Sequence, residues 1–381
     1  MKKLLTVIGT RPQIIKAAAL TRVISELYSD KLQEIIVHTG QHYDKNMSDV
    51  FFDELGMPDP NYNLAVGAGY HGEQTAKMIE KLEQVFFTEK PDAVVLYGDT
   101  NSTLAGAIAA SKIQIPIIHI EAGLRSFNKT MPEEINRIMC DHVSTLLFAP
   151  TVTSFNNLIT EGLNSSSQAP YSADNPLVLH CGDVMYDNSL FFAALGNRKS
   201  TIIEEQGLEN KDFVLATIHR HYNTDDKERM GELFIAIQRI SVDNNIPIVL
   251  PLHPRTTSLL KEKLSPALFK DLDRNELVSI IPPVSYLDMI ALEKNAKIII
   301  TDSGGVQKEA CFFNKPCVIL RSETEWVELV ESGAAIVADA NESKIIQAYN
   351  KLVSQEQIFY PQIFGNGKAA QFICEKICEH I

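Results

Sequence analysis

Short apolar runs recur along the chain, each ending at a polar or glycine-bearing turn and followed by a stretch with helical periodicity. The runs at 4–8, 34–38, 93–97, 116–120 and 145–149 predict strands buried on both faces. Between them, 12–26, 72–87, 103–112 and 133–143 space their apolar residues for amphipathic helices. This alternation predicts βαβ units in a parallel sheet with helices on both sides. A polar, serine-rich segment at 162–175 predicts a surface loop near a domain boundary, and a second series of strands follows at 213–217, 248–252, 278–281, 297–300, 317–320 and 335–337. A last helix, 367–381, sets Ala370, Phe372, Ile373 and Ile377 on a face that needs covering. The reading is an α/β protein of two Rossmann-like, doubly wound domains, 1–176 and 177–361, with a central cleft where strand C-termini meet.

Composition narrows the functional classes. A chain of 381 residues with 45% hydrophobic and 22% charged residues has ample core for two domains. Its net charge of −13 argues against a general nucleic-acid or anionic-membrane surface, so an anionic ligand requires locally gathered Arg, Lys and helix N-termini. The six cysteines (Cys140, Cys181, Cys311, Cys317, Cys374, Cys378) form no paired framework and no zinc spacing, and read as core thiols. The N-terminal segment lacks the apolar core of a signal peptide and no later stretch is long enough to span a bilayer, so a cytoplasmic setting is expected.

The candidate chemistry lies at strand ends. After the apolar run at 298–300, Asp302-Ser303-Gly304-Gly305 opens a helix: Ser303 is a good N-cap, and Gly304 and Gly305 let a ligand approach the backbone. The free N–H groups there suit a phosphate, and Glu309, one to two turns further in, suits a ribose diol. Arg11, before Pro12, is held at the first strand's C-terminal edge with Lys16 a turn beyond, a pattern that suits an anion. Asp99 and Glu121 each follow an apolar strand, and Glu133 and Glu134 stand at a helix start where one of them need only complement the helix dipole. Acidic groups crowded at one sheet mouth suggest acid/base work. His219 with Arg220, and His253 with Arg255, come from two further strand ends and suit a diphosphate. There is no Walker A loop, no Gly-x-Gly-x-x-Gly after the first strand, no Gly-x-Ser-x-Gly and no metal-ligand cluster in the sequence.

Six segments in order, Gly9-Thr10-Arg11-Pro12, His38-Thr39-Gly40-Gln41-His42, Gly98-Asp99-Thr100, the run 119–125, the run 132–137 and the run 301–309, resemble the non-hydrolysing UDP-N-acetylglucosamine 2-epimerase family over essentially the whole chain. The resemblance implies a glycosyltransferase-B-like architecture whose last helix, 362–381, completes the N-terminal domain. It implies an isomerase that inverts C2 of a UDP-linked 2-acetamido sugar without NAD or metal, for surface polysaccharide precursors. UDP is eliminated across C1–C2 and re-added after protonation on the other face. Matching positions make Asp99, Glu121 and Glu133 the acid/base group, without saying which removes the C2 proton. His219 would assist at the diphosphate, Arg11 and Lys16 bind phosphates, Ser303, Gly304 and Gly305 cradle them, and Glu309 hold the ribose. A homodimer is expected on the same ground.

Two segments depart from the family's usual pattern. Gln13 stands where a glutamate is common, and Thr324-Glu325-Trp326-Val327-Glu328 replaces a Thr-Glu-Arg-Pro-Glu segment. With Ser126-Phe127-Asn128, these variants look like the relatives that epimerise UDP-2,3-diacetamido-2,3-dideoxyglucuronate, and a neutral Gln13 would ease binding of a uronate. The rival readings are a retaining glycosyltransferase on the same architecture, a hydrolysing 2-epimerase and a non-catalytic nucleotide-sugar sensor.

Overall fold

The computed structural model describes residues 1–41, 52, 55–163 and 166–381. His42, the last residue of the motif at 38–42, lies outside the described residues, as do 164 and 165 of the serine-rich segment. The chain divides into two compact units, one of Met1–Leu190 with Gln362–Ile381 and one of Phe191–Pro361.

In the first unit β1 (Lys2–Ile8) is fully buried over its last five residues, and so demands cover on both faces. It pairs in parallel with β2 (Leu32–His38) and β4 (Ala93–Tyr97). With β3 (Tyr62–Asn63), β5 (Ile117–Ile120), β6 (Leu146–Ala149) and β7 (Leu177–His180) the order is β3-β2-β1-β4-β5-β6-β7, parallel throughout. The order reverses between β1 and β4, so the loops leaving these strands flank the topological switch point, where α/β sheets carry their ligands. β7 belongs to this sheet, which is why the first unit runs through Leu190 whereas the sequence reading began the second domain at 177. The C-terminal helix Ala369–His380 buries Ala370, Ile373, Cys374 and Ile377 and packs on the helix Arg11–Leu27. Its first N–H groups, those of Ala369 and Ala370, donate to the Asp187 carboxylate at 3.1 and 2.8 Å.

The second unit repeats the plan with β8 (Val214–Thr217), β9 (Ile248–Pro251), β10 (Val278–Ile281), β11 (Ile298–Thr301), β12 (Cys317–Ile319) and β13 (Ala335–Val337), ordered β10-β9-β8-β11-β12-β13 and parallel. Its switch point lies between β8 and β11. Strand residues Val214, Ile248, Ile298 and Val318 share one core with Phe234 and Ile237 of the helix Lys227–Asn244. Among the described residues no helix is long and apolar enough to cross a membrane, the cysteines are all free, and no three His, Cys, Asp or Glu side chains are arranged to hold a metal ion.

Candidate active site

At the first switch point the chain turns at Gly98 and Glu121, both with positive φ (63° and 74°), directly after β4 and β5. Gly98 needs its freedom twice over, because a Cβ there would meet Lys16 Nζ at 3.0 Å and Glu121 Oε2 at 3.1 Å. Those two groups form a largely buried ion pair. The sequence reading gave Lys16 to phosphate, but in this structure its ammonium is paired with Glu121 inside the first unit. Asp99, next along, is paired with Arg137 of the helix Pro132–Asp141. Burial pushes the Asp99 carboxyl above its usual range; Arg137 and Lys16 oppose the rise, while Glu121 and Glu133 add to it. The structure therefore gathers Asp99, Glu121 and Glu133 with two cations. Arg11 is half-buried as the first residue of the helix Arg11–Leu27.

Glu133 and Glu134 separate clearly. Glu134 is buried and accepts from the N–H groups of Ser126 and Phe127 (3.0 and 2.9 Å) and from Arg137 Nη2 (2.7 Å). Although burial opposes its charge, these donors hold it below the usual carboxylate range. Glu134 is thus the structural member, and Glu133 is exposed at the helix start.

Gln13 is a structural amide rather than a ligand-facing one. Its side chain is buried, its Oε1 accepts from Gly9 N–H at 2.9 Å, and its Nε2 donates to the Tyr97 carbonyl (3.0 Å) and Thr103 Oγ1 (2.9 Å). Both ends of the amide are used in tying the β1 and β4 loops together, so its neutrality gives no reason to favour a uronate.

At the second switch point, Asp302 is a hub that the sequence reading left out of the site. Fully buried after β11, it accepts from His219 N–H (3.1 Å), Arg220 N–H (3.0 Å) and Asn223 Nδ2 (3.1 Å), and its Oδ1 lies 3.1 Å from His219 Nδ1. The ring of His219 is half exposed, held by a carboxylate at one nitrogen. An Asp directly after an apolar strand was the available signal.

Ser303 caps the helix Gly304–Phe312, its Oγ accepting from Val306 N–H at 3.5 Å. Trp326 Nε1 donates to the Gly304 carbonyl (3.0 Å), the ring lies 4.6 Å below Lys308 Nζ, and Thr324 Oγ1 donates to Gln307 Oε1 (2.6 Å). The variant 324–328 segment thus braces the helix that starts at the two glycines. Gly304 also leaves room for the Glu325 carboxylate, which Arg321 Nη1 holds at 2.8 Å. Glu309 is 5% exposed, accepts from the Tyr286 hydroxyl (3.3 Å) and adjoins Glu293. Burial first, and then Glu309, pushes the Glu293 carboxyl well above its usual range.

His253 and Arg255 lie one strand further out, after β9. The His253 ring accepts from Arg255 N–H at 3.2 Å as a helix cap, while the Arg255 guanidinium pairs with Asp225 and lies 2.9 Å from His221 Nδ1. In this structure Arg255 is committed to Asp225.

The UDP-N-acetylglucosamine 2-epimerase family model matches residues 25–378. The chain is 46% identical over 374 residues to a UDP-N-acetylglucosamine 2-epimerase homolog of Methanococcus maripaludis, covering 98% of each. It is 45% identical over 377 residues to the UDP-2,3-diacetamido-2,3-dideoxy-D-glucuronate 2-epimerase of Pseudomonas aeruginosa, covering 99% of each. The crystal structure of Methanocaldococcus jannaschii UDP-GlcNAc 2-epimerase in complex with UDP-GlcNAc and UDP superposes with a TM-score of 0.87 at 41% identity, over 99% of both chains. Paired switch points and matches along the whole length agree: the chain belongs to the UDP-N-acetylglucosamine 2-epimerase family.

Proposed function

We propose that the protein epimerises a UDP-linked 2-acetamido sugar at C2, with the first unit acting on the sugar and the second holding UDP. The observation that supports this most is the grouping of Asp99, Glu121 and Glu133 with Lys16 and Arg137 after β4 and β5.

One carboxylate takes the proton from C2 as the C1–oxygen bond breaks, and the electron pair becomes the C1–C2 double bond of a glycal. The leaving UDP oxygen takes up negative charge, which His219 and the N–H groups of Gly304 and Gly305 stabilise. A second carboxyl then delivers a proton to the opposite face of C2 while the UDP oxygen re-adds at C1. Asp99, whose carboxyl burial pushes above its usual range against Arg137 and Lys16, is the member of the group better suited to carry the proton. Glu309, steadied by Tyr286, serves the ribose diol. Arg11, His253 and Arg255 complete the anionic side of the proposal, Arg255 after release from Asp225. Assembly as a homodimer in the cytoplasm is carried over on family grounds.

The test is incubation of purified protein with UDP-N-acetylglucosamine, or with UDP-2,3-diacetamido-2,3-dideoxyglucuronate, without acceptor. The proposal expects the C2 epimer with its UDP bond intact. Free sugar with UDP would indicate a hydrolysing enzyme, and turnover only with an added acceptor would indicate a glycosyltransferase.

A further inference from the structure

His119 belongs to β5, is fully buried and has no place in the chemistry above. Its Nε2 lies 2.8 Å from the carbonyl oxygen of Gly98, the residue before Asp99. Its Nδ1 lies 2.7 Å from Asp141 Oδ1. A carbonyl oxygen carries no proton, so Nε2 must donate. The second Asp141 oxygen is itself occupied, accepting from Gly123 N–H at 3.1 Å and from Arg125 Nη1 at 2.8 Å. The guanidinium of Arg125 at Oδ2 and the downward shift of its carboxyl keep Asp141 in the ionised form, so Oδ1 accepts and Nδ1 donates as well. An imidazole with two N–H groups is a cation.

The buried charge is balanced along a chain of alternating sign. Asp141 stands against His119, Arg125 against Asp141, and Glu161 against Arg125 through two bonds of 2.6 and 2.7 Å. Glu161 is part-exposed, with His142 Nε2 at 3.2 Å. Burial by itself opposes the charge on His119, but the Cys140 and Asp141 side chains hold its pKa well above the usual imidazole range. Asp141 is correspondingly held below the carboxylate range by His119 and Arg125 against the opposing effect of burial. On the other side of Gly98 stand Lys16 and Glu121.

The geometry also relates two turns. His119 grips the backbone of the Gly98 turn, which presents Asp99. Asp141 grips Gly123 in the turn that presents Glu121. Backbone pairing between β4 and β5 ends at Gly98 N–H to the Ile120 carbonyl, so beyond that point these side chains span the two turns.

We propose that His119, bridging the Gly98 carbonyl and Asp141, is a positioning residue that sets the spacing of Asp99 and Glu121. The inference rests on the proposed acid/base role of those two carboxylates.

Two experiments test it. In wild-type protein with nitrogen-labelled histidine, both His119 nitrogens should show the protonated shift at about pH 8, above the ordinary imidazole range. A single protonated nitrogen would overturn the assignment. In the second, His119→Gln, which keeps one donor, and His119→Phe, which keeps none, are compared for deuterium exchange at C2 of the UDP-sugar and for UDP affinity. Expected is a kcat loss of roughly 10-fold for Gln and 10²-fold or more for Phe. UDP affinity should stay within about threefold, because the second unit holds UDP. Unchanged exchange in both variants, or equal losses in exchange and UDP affinity, would refute the positioning role. Absence of exchange in the wild type would instead refute the acid/base reading itself.

Discussion

The ammonium of Lys16 and the carboxylate of Glu121 meet across the Cα of Gly98, so that the main chain of the turn presenting Asp99 is packed directly against the ion pair. A methyl group is enough to disturb this. Gly98→Ala places a Cβ 3.0–3.1 Å from both charged groups at a φ of 63°. The left-handed backbone costs an L-residue about 1–2 kcal/mol, and the pair must move by a few tenths of an ångström. Thermal unfolding should show that loss, and C2 epimerisation should fall further than stability alone accounts for.

Asp302 orients His219 through both its backbone N–H and its ring. Asp302→Asn exchanges one acceptor oxygen for a donor facing donors, at a cost of about 1–3 kcal/mol. Steady-state kinetics should show kcat reduced by roughly 10²-fold.

Glu293 and Glu309 are adjacent buried carboxyls. Burial first, and then Glu309, pushes the Glu293 carboxyl well above its usual range, so Glu293→Gln, close to isosteric with a carboxylic acid, should leave UDP affinity within about threefold. If Glu309 holds the ribose as proposed, Glu309→Gln should weaken UDP binding by roughly 10–100-fold, the range of about 1.5–3 kcal/mol. Titration calorimetry with UDP compares the two.

Asp187 caps the C-terminal helix from a buried position, and burial raises its pKa to about 6 although the Ala369 and Ala370 N–H groups oppose the rise. Its unfolded value is near 3.8, so between these limits the folded state binds more proton than the unfolded state. Its contribution is therefore complete at low pH and declines as pH rises from about 4 to about 6. Relative to Asp187→Asn, the wild type should lose up to about 2 kcal/mol across that window in denaturant titrations.

Much of this was visible in sequence because the informative signals are local. The apolar run into Asp302-Ser303-Gly304-Gly305 predicts a strand, a cap and a helix, and β11 and the Ser303-capped helix follow it. The same holds for β1 and its Pro12-bearing helix, and for Asp99 and Glu121 after β4 and β5. What escaped depends on contacts between distant segments. Gln13 looks like a ligand-facing amide until Tyr97 and Thr103, more than eighty residues away in the chain, are seen to use it. Glu134 differs from its neighbour only through Ser126, Phe127 and Arg137. Lys16 and Arg255 each find a carboxylate from another element, which spacing does not reveal. β7 was missed as a short run after a loop, and with it the extent of the first unit.

Proton exchange at C2, the role proposed for Asp99 and Glu121, has a direct readout in deuterium labelling. In deuterated water without acceptor, the wild type should place deuterium at C2 of the recovered UDP-sugar with the UDP bond intact. Asp99→Asn and Glu121→Gln should each abolish labelling while UDP binding persists. Epimer formed with its original C2 hydrogen, or labelling undiminished in both variants, would rule out this acid/base role.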